Sequence, residues 1–492
     1  MPTALPSPLR SYWTLDVQGV RHPELESSLH AETVVVGAGI VGLTIALRLC
    51  EAGREVIVVE AMEVGRQVTG GSTAKITAQH GLIYDELIRT AGHDQARLYA
   101  DANRAGMEQI ARWIDELDIA CEFDVRPAYL YSESDALVGE LRAEAEAART
   151  LGFAAEFLER APLPFATVGA VRLDGQAQFN PVKYLDALAA AVAAKGGRIF
   201  ERSRVRLVEA ASRWRVVTDK GNVHAEHVVV ATNLPIKSPV GMARRTQPRM
   251  HTAMAFPIEP GRIDGMFLGV DEPAHSLRTG RGSDGPVLIA LGRKFNTGHE
   301  ADVAAGFAEL EAWINRSLTS AAPIAAWCNE DYDTEDRIPF IGEPDPERSA
   351  GFHIATGFNA WGISNGTAGG VMIADTILGR ANPWRTLYDP TRPASKEFNK
   401  GGESRSLVDG VEAIAKGQGG VIDRDGEEIA VWRDDQGQTT ELSAKCTHKG
   451  CIVTWNNAAH TWDCPCHGSI FSAKGEVLHG PARKNLQPAT KE

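Results

Sequence analysis

Residues 33–60 read TVVVGAGIVGLTIALRLCEAGREVIVVE. An apolar strand runs into Gly37, Gly39 and Gly42, spaced G-x-G-x-x-G, and a helical pattern then leads to a second apolar strand ending on Glu60. Gly37 permits a tight turn, Gly39 lets the backbone approach a pyrophosphate, and Gly42 lets helix and strand pack closely. The pyrophosphate then meets a helix N-terminus, where free N–H groups and the helix dipole favour an anion. Glu60 lies 18 residues beyond Gly42, placed to bind a ribose diol, and its charge opposes the 2′-phosphate of NADP. Glycine-rich turns also arise for structural reasons alone. Here the strand, the helix, Gly53 and the terminal acid agree on a dinucleotide site in an α/β, Rossmann-like domain. The motif leaves FAD and NAD both open.

The surrounding chain has 492 residues, too many for one hydrophobic core, so at least two domains are expected. With 43% hydrophobic and 23% charged residues, the composition is that of a globular protein. A formal net charge of −13 repels phosphate backbones and acidic headgroups, which argues against nucleic acid or a membrane surface as partner. The opening MPTALPSPLRSYW has no charged segment followed by an apolar one, and no run approaches the length of a membrane span. The expected location is the cytoplasm.

Apolar residues at 3–4 spacing predict helices between about 100 and 160, and again near 302–317 and 366–379, while 199–232 reads as β structure. This alternation predicts a mixed α/β domain over 1–385. Three prolines and a Gly-Gly pair in ANPWRTLYDPTRPASKEFNKGGESRS mark a linker over 386–404, part of which can lie along the first domain. Short strand patterns punctuated by Gly and Asp then predict a small all-β domain over 405–492.

Four of the seven cysteines, Cys446, Cys451, Cys464 and Cys466, fall within 21 positions, interleaved with His448 and His467. Such clustering points to a metal centre rather than a disulfide scaffold. C446-T-H448-K-G-C451 and C464-P-C466-H467-G-S469 offer two thiolates, Cys446 and Cys464, suited to one iron, and two imidazoles, His448 and His467, suited to another. Zinc is the rival, but it predicts neither the outer cysteines nor the glycines. The segment resembles the high-potential Rieske [2Fe–2S] proteins of cytochrome bc complexes. That resemblance implies a disulfide between Cys451 and Cys466 and a hydrogen bond from Ser469 to a bridging sulfide. It also implies a covering loop at Gly480, Pro481 and Ala482, and histidines that form the solvent-facing exit. One departure is Phe471, where those proteins carry tyrosine. Neither a second iron site of the oxygenase type nor a membrane anchor is apparent.

Residues 30–380 resemble the glycine/D-amino-acid oxidase family of flavoproteins. The resemblance implies FAD and a β-rich substrate subdomain, and it assigns several segments. HVVVATN, 227–233, is similar to the second FAD strand, with Ala231 and Thr232 at its turn. In GFHIATGFNAWGISNGTAGGVMIADTILG, 351–379, Gly357, Trp361, Gly362 and Ile363 would line the flavin, followed by a helix N-terminus. Thr73 lies in the loop GGSTAKIT, 70–77, that would pass the ring, and Val205 would hold the adenine through its backbone. Some relatives attach flavin through a cysteine; Cys328 is near that place, but Asn329 occupies it.

The two resemblances together imply an oxidoreductase that takes electrons from an amine or amino acid C–N bond into FAD. They then pass singly through the cluster to an external one-electron partner, which favours a dehydrogenase over an oxidase. A non-catalytic redox carrier, or flow from cluster to FAD, stays open. Lys75 is a candidate to polarise the flavin, His251 to face it, and Arg249 to pair a substrate carboxylate. A surface lysine and a structural histidine are the plainer readings of the first two.

Overall fold

The computed structural model describes the chain except residues 1–4, 7, 16–18, 20, 212, 238–241, 301, 394–405 and 490–492. Its first sheet is built around five parallel strands in the order Arg198–Phe200, Val56–Val59, Ser28–Val36, Asn222–Val230, Phe352–Thr356. All four residues of Val56–Val59 are buried, as are the last four of Ser28–Val36, because helices and loops cover both faces. The helices Ile40–Glu51 and Ser364–Ile377 pack on each other against this sheet. This is the predicted Rossmann-like unit.

A nine-stranded sheet forms the second layer, running from Ala325–Thr334 through Thr246–Pro257 and Gly285–Asn296 to Lys75–Ile76 at the far end. It is the β-rich subdomain. The region 100–160 departs from the helical expectation. Helices His93–Glu116 and Val138–Thr150 flank a strand, Asp124–Ser132, whose last five residues are all buried. That strand is held by pairing with Gly169–Gln178 and Met266–Gly269, partners remote in sequence.

Two small antiparallel sheets make the C-terminal domain: Gly419–Arg424, Glu427–Arg433, Thr439–Ser443, and Thr454–Asn456, Thr461–Asp463, Ile470–Ser472, Val477–His479. Trp462 and Phe471 are buried at its centre with Cys446 and Cys464. The segment expected as a linker is bound to the first domain over its opening half. Arg392 reaches both carboxylate oxygens of Asp336, and the Tyr388 hydroxyl donates to Asn365 Oδ1 at 3.0 Å. Its remainder, 394–404, lies outside the described residues. Among the described residues no helix is long and apolar enough to cross a membrane.

Candidate functional site

A large cavity opens along the C-terminal edge of the parallel strands, where α/β sheets bind ligands. Gly37 and Gly39 line it, and Gly42 stands behind them. Gly37 has φ +106°, and a Cβ there would strike the Ala231 carbonyl; a Cβ at Gly42 would sit on the Gly37 carbonyl. Both positions therefore exclude other residues on steric grounds alone. Glu60 lines the cavity with its carboxylate anchored, Oε2 accepting from Ala38 N at 2.8 Å and Oε1 from Met62 N at 2.9 Å. Burial pushes its carboxyl up, against those N–H groups and Arg204. Val205, Ala231 and Thr232 complete this end.

At the other end stand Thr73, Phe358, Gly362 and Ile363, at the start of helix Ser364–Ile377. Trp361 and Gly357 are not on the cavity surface. Trp361 stacks on His80 at 4.7 Å, and a Cβ at Gly357 would run into Thr334. Both shape the turn rather than line the site. His80 is held near 3 by burial and bonded to Tyr99, Thr77 and Ser364, which braces the helix start from behind.

The three catalytic candidates fare differently. Lys75 is buried and donates to Ser276, off the cavity; burial, with Arg278 beside it, pulls its ammonium down to about 7. Arg249 is also off the cavity, ion-paired with Asp333, so its charge is already matched within the chain. His251 does line the cavity. Arg249 Nη1 donates to its Nε2 at 2.7 Å, so its proton belongs on Nδ1, which donates to the Gly292 carbonyl at 3.2 Å. Burial and Arg249 hold it down to about 3, so it is a neutral ring with both nitrogens engaged.

Besides Cys328 and Asn329, strand Ala325–Thr334 carries Trp327, Glu330, Asp331 and Tyr332, which the sequence did not single out. Alternate side chains point to opposite faces of a strand. Asn329 and Asp331 line the cavity, and Trp327 Nε1 donates to the Gly71 carbonyl at 2.7 Å on the same side. Cys328, Glu330 and Tyr332 face the C-terminal domain. Cys328 meets Asn456, and the Tyr332 hydroxyl donates to the His467 carbonyl at 3.2 Å. Glu330 Oε2 lies 3.2 Å from His479 Nε2, and its Oε1 accepts from Thr297 at 2.9 Å. Cys328 is thus turned away from the cavity and Asn329 into it. One strand separates the dinucleotide cavity from the cluster loops.

In those loops, Cys451 and Cys466 are joined in a disulfide. Cys446 and Cys464 bring their sulfurs into contact, and the His448 and His467 rings lie 4.9 Å apart. Both imidazole Nδ1 atoms are buried without a hydrogen-bond partner, as suits atoms meant for a metal. The Cys464 contact and the N–H groups of His448 and Lys449 pull the Cys446 thiol down to about 7, and burial keeps His448 neutral, near 4. Ser469 Oγ touches Cys446 and accepts from Ala482 N at 3.1 Å, tying the covering loop to the ligand loop. A pair of thiols and a pair of unpartnered imidazoles fit a [2Fe–2S] cluster of the Rieske kind. The histidines are half-buried rather than a free tip, since the His467 loop rests on Tyr332 and Glu330.

Comparison with known proteins agrees with this geometry. Residues 32–376 match the FAD dependent oxidoreductase family, and residues 404–490 match the Rieske [2Fe-2S] domain. A Bacillus subtilis (strain 168) protein described as a Rieske 2Fe-2S iron-sulfur protein, YhfW, is 31% identical over 494 residues, covering 97% of each chain. The gamma-glutamylputrescine oxidoreductase of Escherichia coli (strain K12) is 28% identical over 46% of this chain and 54% of its own. The fold of the first domain is that of glycine oxidase from Geobacillus kaustophilus, with TM-score 0.62 and 19% identity over 75% of this chain and 100% of that one.

Proposed function

The chain belongs to the FAD-dependent oxidoreductase family and carries a C-terminal Rieske domain, and from that premise we propose that it oxidises a small amine or amino acid at a C–N bond and passes the electrons singly to an external acceptor. FAD supplies the two-electron chemistry and the [2Fe–2S] cluster the one-electron exchange. The observation that carries this reading is the partition strand Ala325–Thr334, which lines the cavity with Asn329 and Asp331 and holds the His467 loop with Tyr332.

On this reading the chain's residues divide the work. The turn at Gly37–Gly39 and the carboxylate of Glu60 bind and orient the dinucleotide. Asp331 presents an acid to the reacting end, with Oδ2 accepting from Ala360 N and Oδ1 buried without a partner, free to hold an ammonium or accept its proton. His251 fills space as a neutral ring. The His467 loop is the entry side of the cluster domain, and the His448 loop, with Lys449 and Gly450 exposed, is its exit. A fused acceptor one strand away favours a dehydrogenase over an oxidase.

The test is an anaerobic screen of amines and amino acids, following flavin absorbance and then the cluster's EPR signal. A substrate should bleach the flavin first and raise the reduced-cluster signal afterwards. Bleaching by no amine, with reduction only through a separate reductase, would move the protein to the class of redox carriers.

A further inference from the structure

The dinucleotide cavity is not built by the first domain alone. Leu478, His479, Gly480 and Ala482, all from the C-terminal domain, line it beside Arg204 and Glu60. Arg204 Nη2 donates to the Leu478 carbonyl at 3.3 Å, which places this segment at the adenosine end, next to Val205. His479 lies between Arg204 and Glu330, largely buried, and that burial keeps it neutral, near 4. Gly480 is there for steric reasons: φ is +89°, and a Cβ would press the Gly468 carbonyl and Ser469. The covering loop therefore touches the cluster loop on one side and the cavity on the other.

We propose that the Rieske domain is a structural part of the FAD site, so that FAD binding and docking of the two domains stabilise each other. A ligand that contacts both domains in the docked state favours that state by the free energy of its contacts with the second. The coupling is reciprocal: whatever loosens the seam loosens FAD, and removing FAD loosens the seam. Much of the seam lies outside the cavity and can be altered without touching the cofactor site. Thr454 Oγ1 donates to the Gly298 carbonyl at 2.8 Å. Asn457 Nδ2 donates to Asp302 Oδ1 at 2.8 Å, and its Oδ1 accepts from Ala304 N at 3.0 Å, at the start of helix Val303–Ser317.

The experiment uses the full-length holoprotein and needs no substrate. In Thr454→Val/Asn457→Ala, FAD released on dilution, followed by its fluorescence, should appear roughly fivefold or more faster than in the wild type, the lower range for linked sites. The cluster's EPR spectrum should be unchanged. In the wild type, stripping FAD should raise amide hydrogen exchange over residues 454–457 and 477–483. An unchanged release rate in the double variant, or equal exchange with and without FAD, overturns the proposal.

Discussion

Asp331 and His251 stand in the same cavity with opposite electrostatic histories. Burial pushes the Asp331 carboxyl up to about 6, against Arg249 and the N–H groups of Tyr332 and Ala360. His251 is held near 3 by burial and by Arg249, so it carries no charge at ordinary pH. The sign for Asp331 is then definite: it is neutral below about 6 and a carboxylate above. Flavin reduction by an amine that needs this carboxylate should accelerate as pH rises through 6. Asp331→Asn should abolish the step, and His251→Asn should leave it in place; a step near 6.5 lost only in His251→Asn would make the histidine the base. Phe471 makes a second case at this scale. It is fully buried, in register with Trp462 and packed with Cys446 and Cys464. Hydrogen bonds to cluster sulfurs favour the reduced state, and phenylalanine offers none. A hydrogen bond to a charged group contributes about 1.5–3 kcal/mol, only part of which differs between redox states. About 1.4 kcal/mol corresponds to roughly 59 mV for one electron. Phe471→Tyr should raise the cluster midpoint by some tens of millivolts in a redox titration, and a fall would mean that the ring does not face a sulfur.

Strand Ala325–Thr334 shows why an element can be decisive and still illegible. A half-buried strand announces itself by alternating apolar and polar residues. This one reads AAWCNEDYDT, polar on both faces through its second half, because one face serves a polar cavity and the other a polar seam. Glu330, Asp331 and Tyr332 are all nearly inaccessible to solvent. Their hydrogen-bonding groups are satisfied largely by elements distant in sequence, so nothing local foretells the burial. The same holds for Asp124–Ser132, where pairing with Gly169–Gln178 turned a stretch between two helices into a strand. The partition strand carries a prediction of its own. Tyr332→Phe removes the hydroxyl that holds the His467 carbonyl and keeps the ring. One hydrogen bond nets about 0.5–1.5 kcal/mol, so the docking equilibrium constant should fall by up to roughly tenfold and cluster reduction should slow by no more than that factor. Flavin reduction by substrate should keep its rate in stopped flow on protein with FAD held saturating. Equal loss of both phases would make Tyr332 a general structural residue.

At the scale of the whole molecule, two cofactor domains meet across a hydrogen-bonded seam. The chain between them is fastened to the first domain as far as Arg392, through Asp336. If the cluster lies on the electron path, damaging it should separate the half-reactions. His467→Cys alters a proposed cluster ligand, so the EPR signal should change and turnover with an artificial one-electron acceptor should collapse. Anaerobic bleaching of the flavin by substrate should persist. Turnover at the wild-type rate in this variant would place the cluster outside the path. With the acceptor removed, oxygen should reoxidise the wild-type flavin more slowly than the acceptor does.

Read as a sequence, the chain specified those parts whose chemistry is local. Three glycines and an acid around one strand–helix turn define a dinucleotide site, because steric and dipolar demands act within a few residues. Two short loops signal a cluster, because two cysteines and two histidines suited to ligate it fall within 22 positions, Cys446 to His467. The cysteines were also legible as two classes, and Cys451 and Cys466 are joined as the resemblance implied. The tertiary structure decided what depends on distance in sequence. Arg249 meets Asp333, Lys75 meets Ser276, and His251 is kept neutral by burial and by Arg249 while a neighbouring strand's carbonyl accepts from its Nδ1. Asp331 reaches the cavity, and the C-terminal domain closes part of it. Burial and partner choice set the charge of a side chain, and both are properties of the packed molecule rather than of the residues beside it.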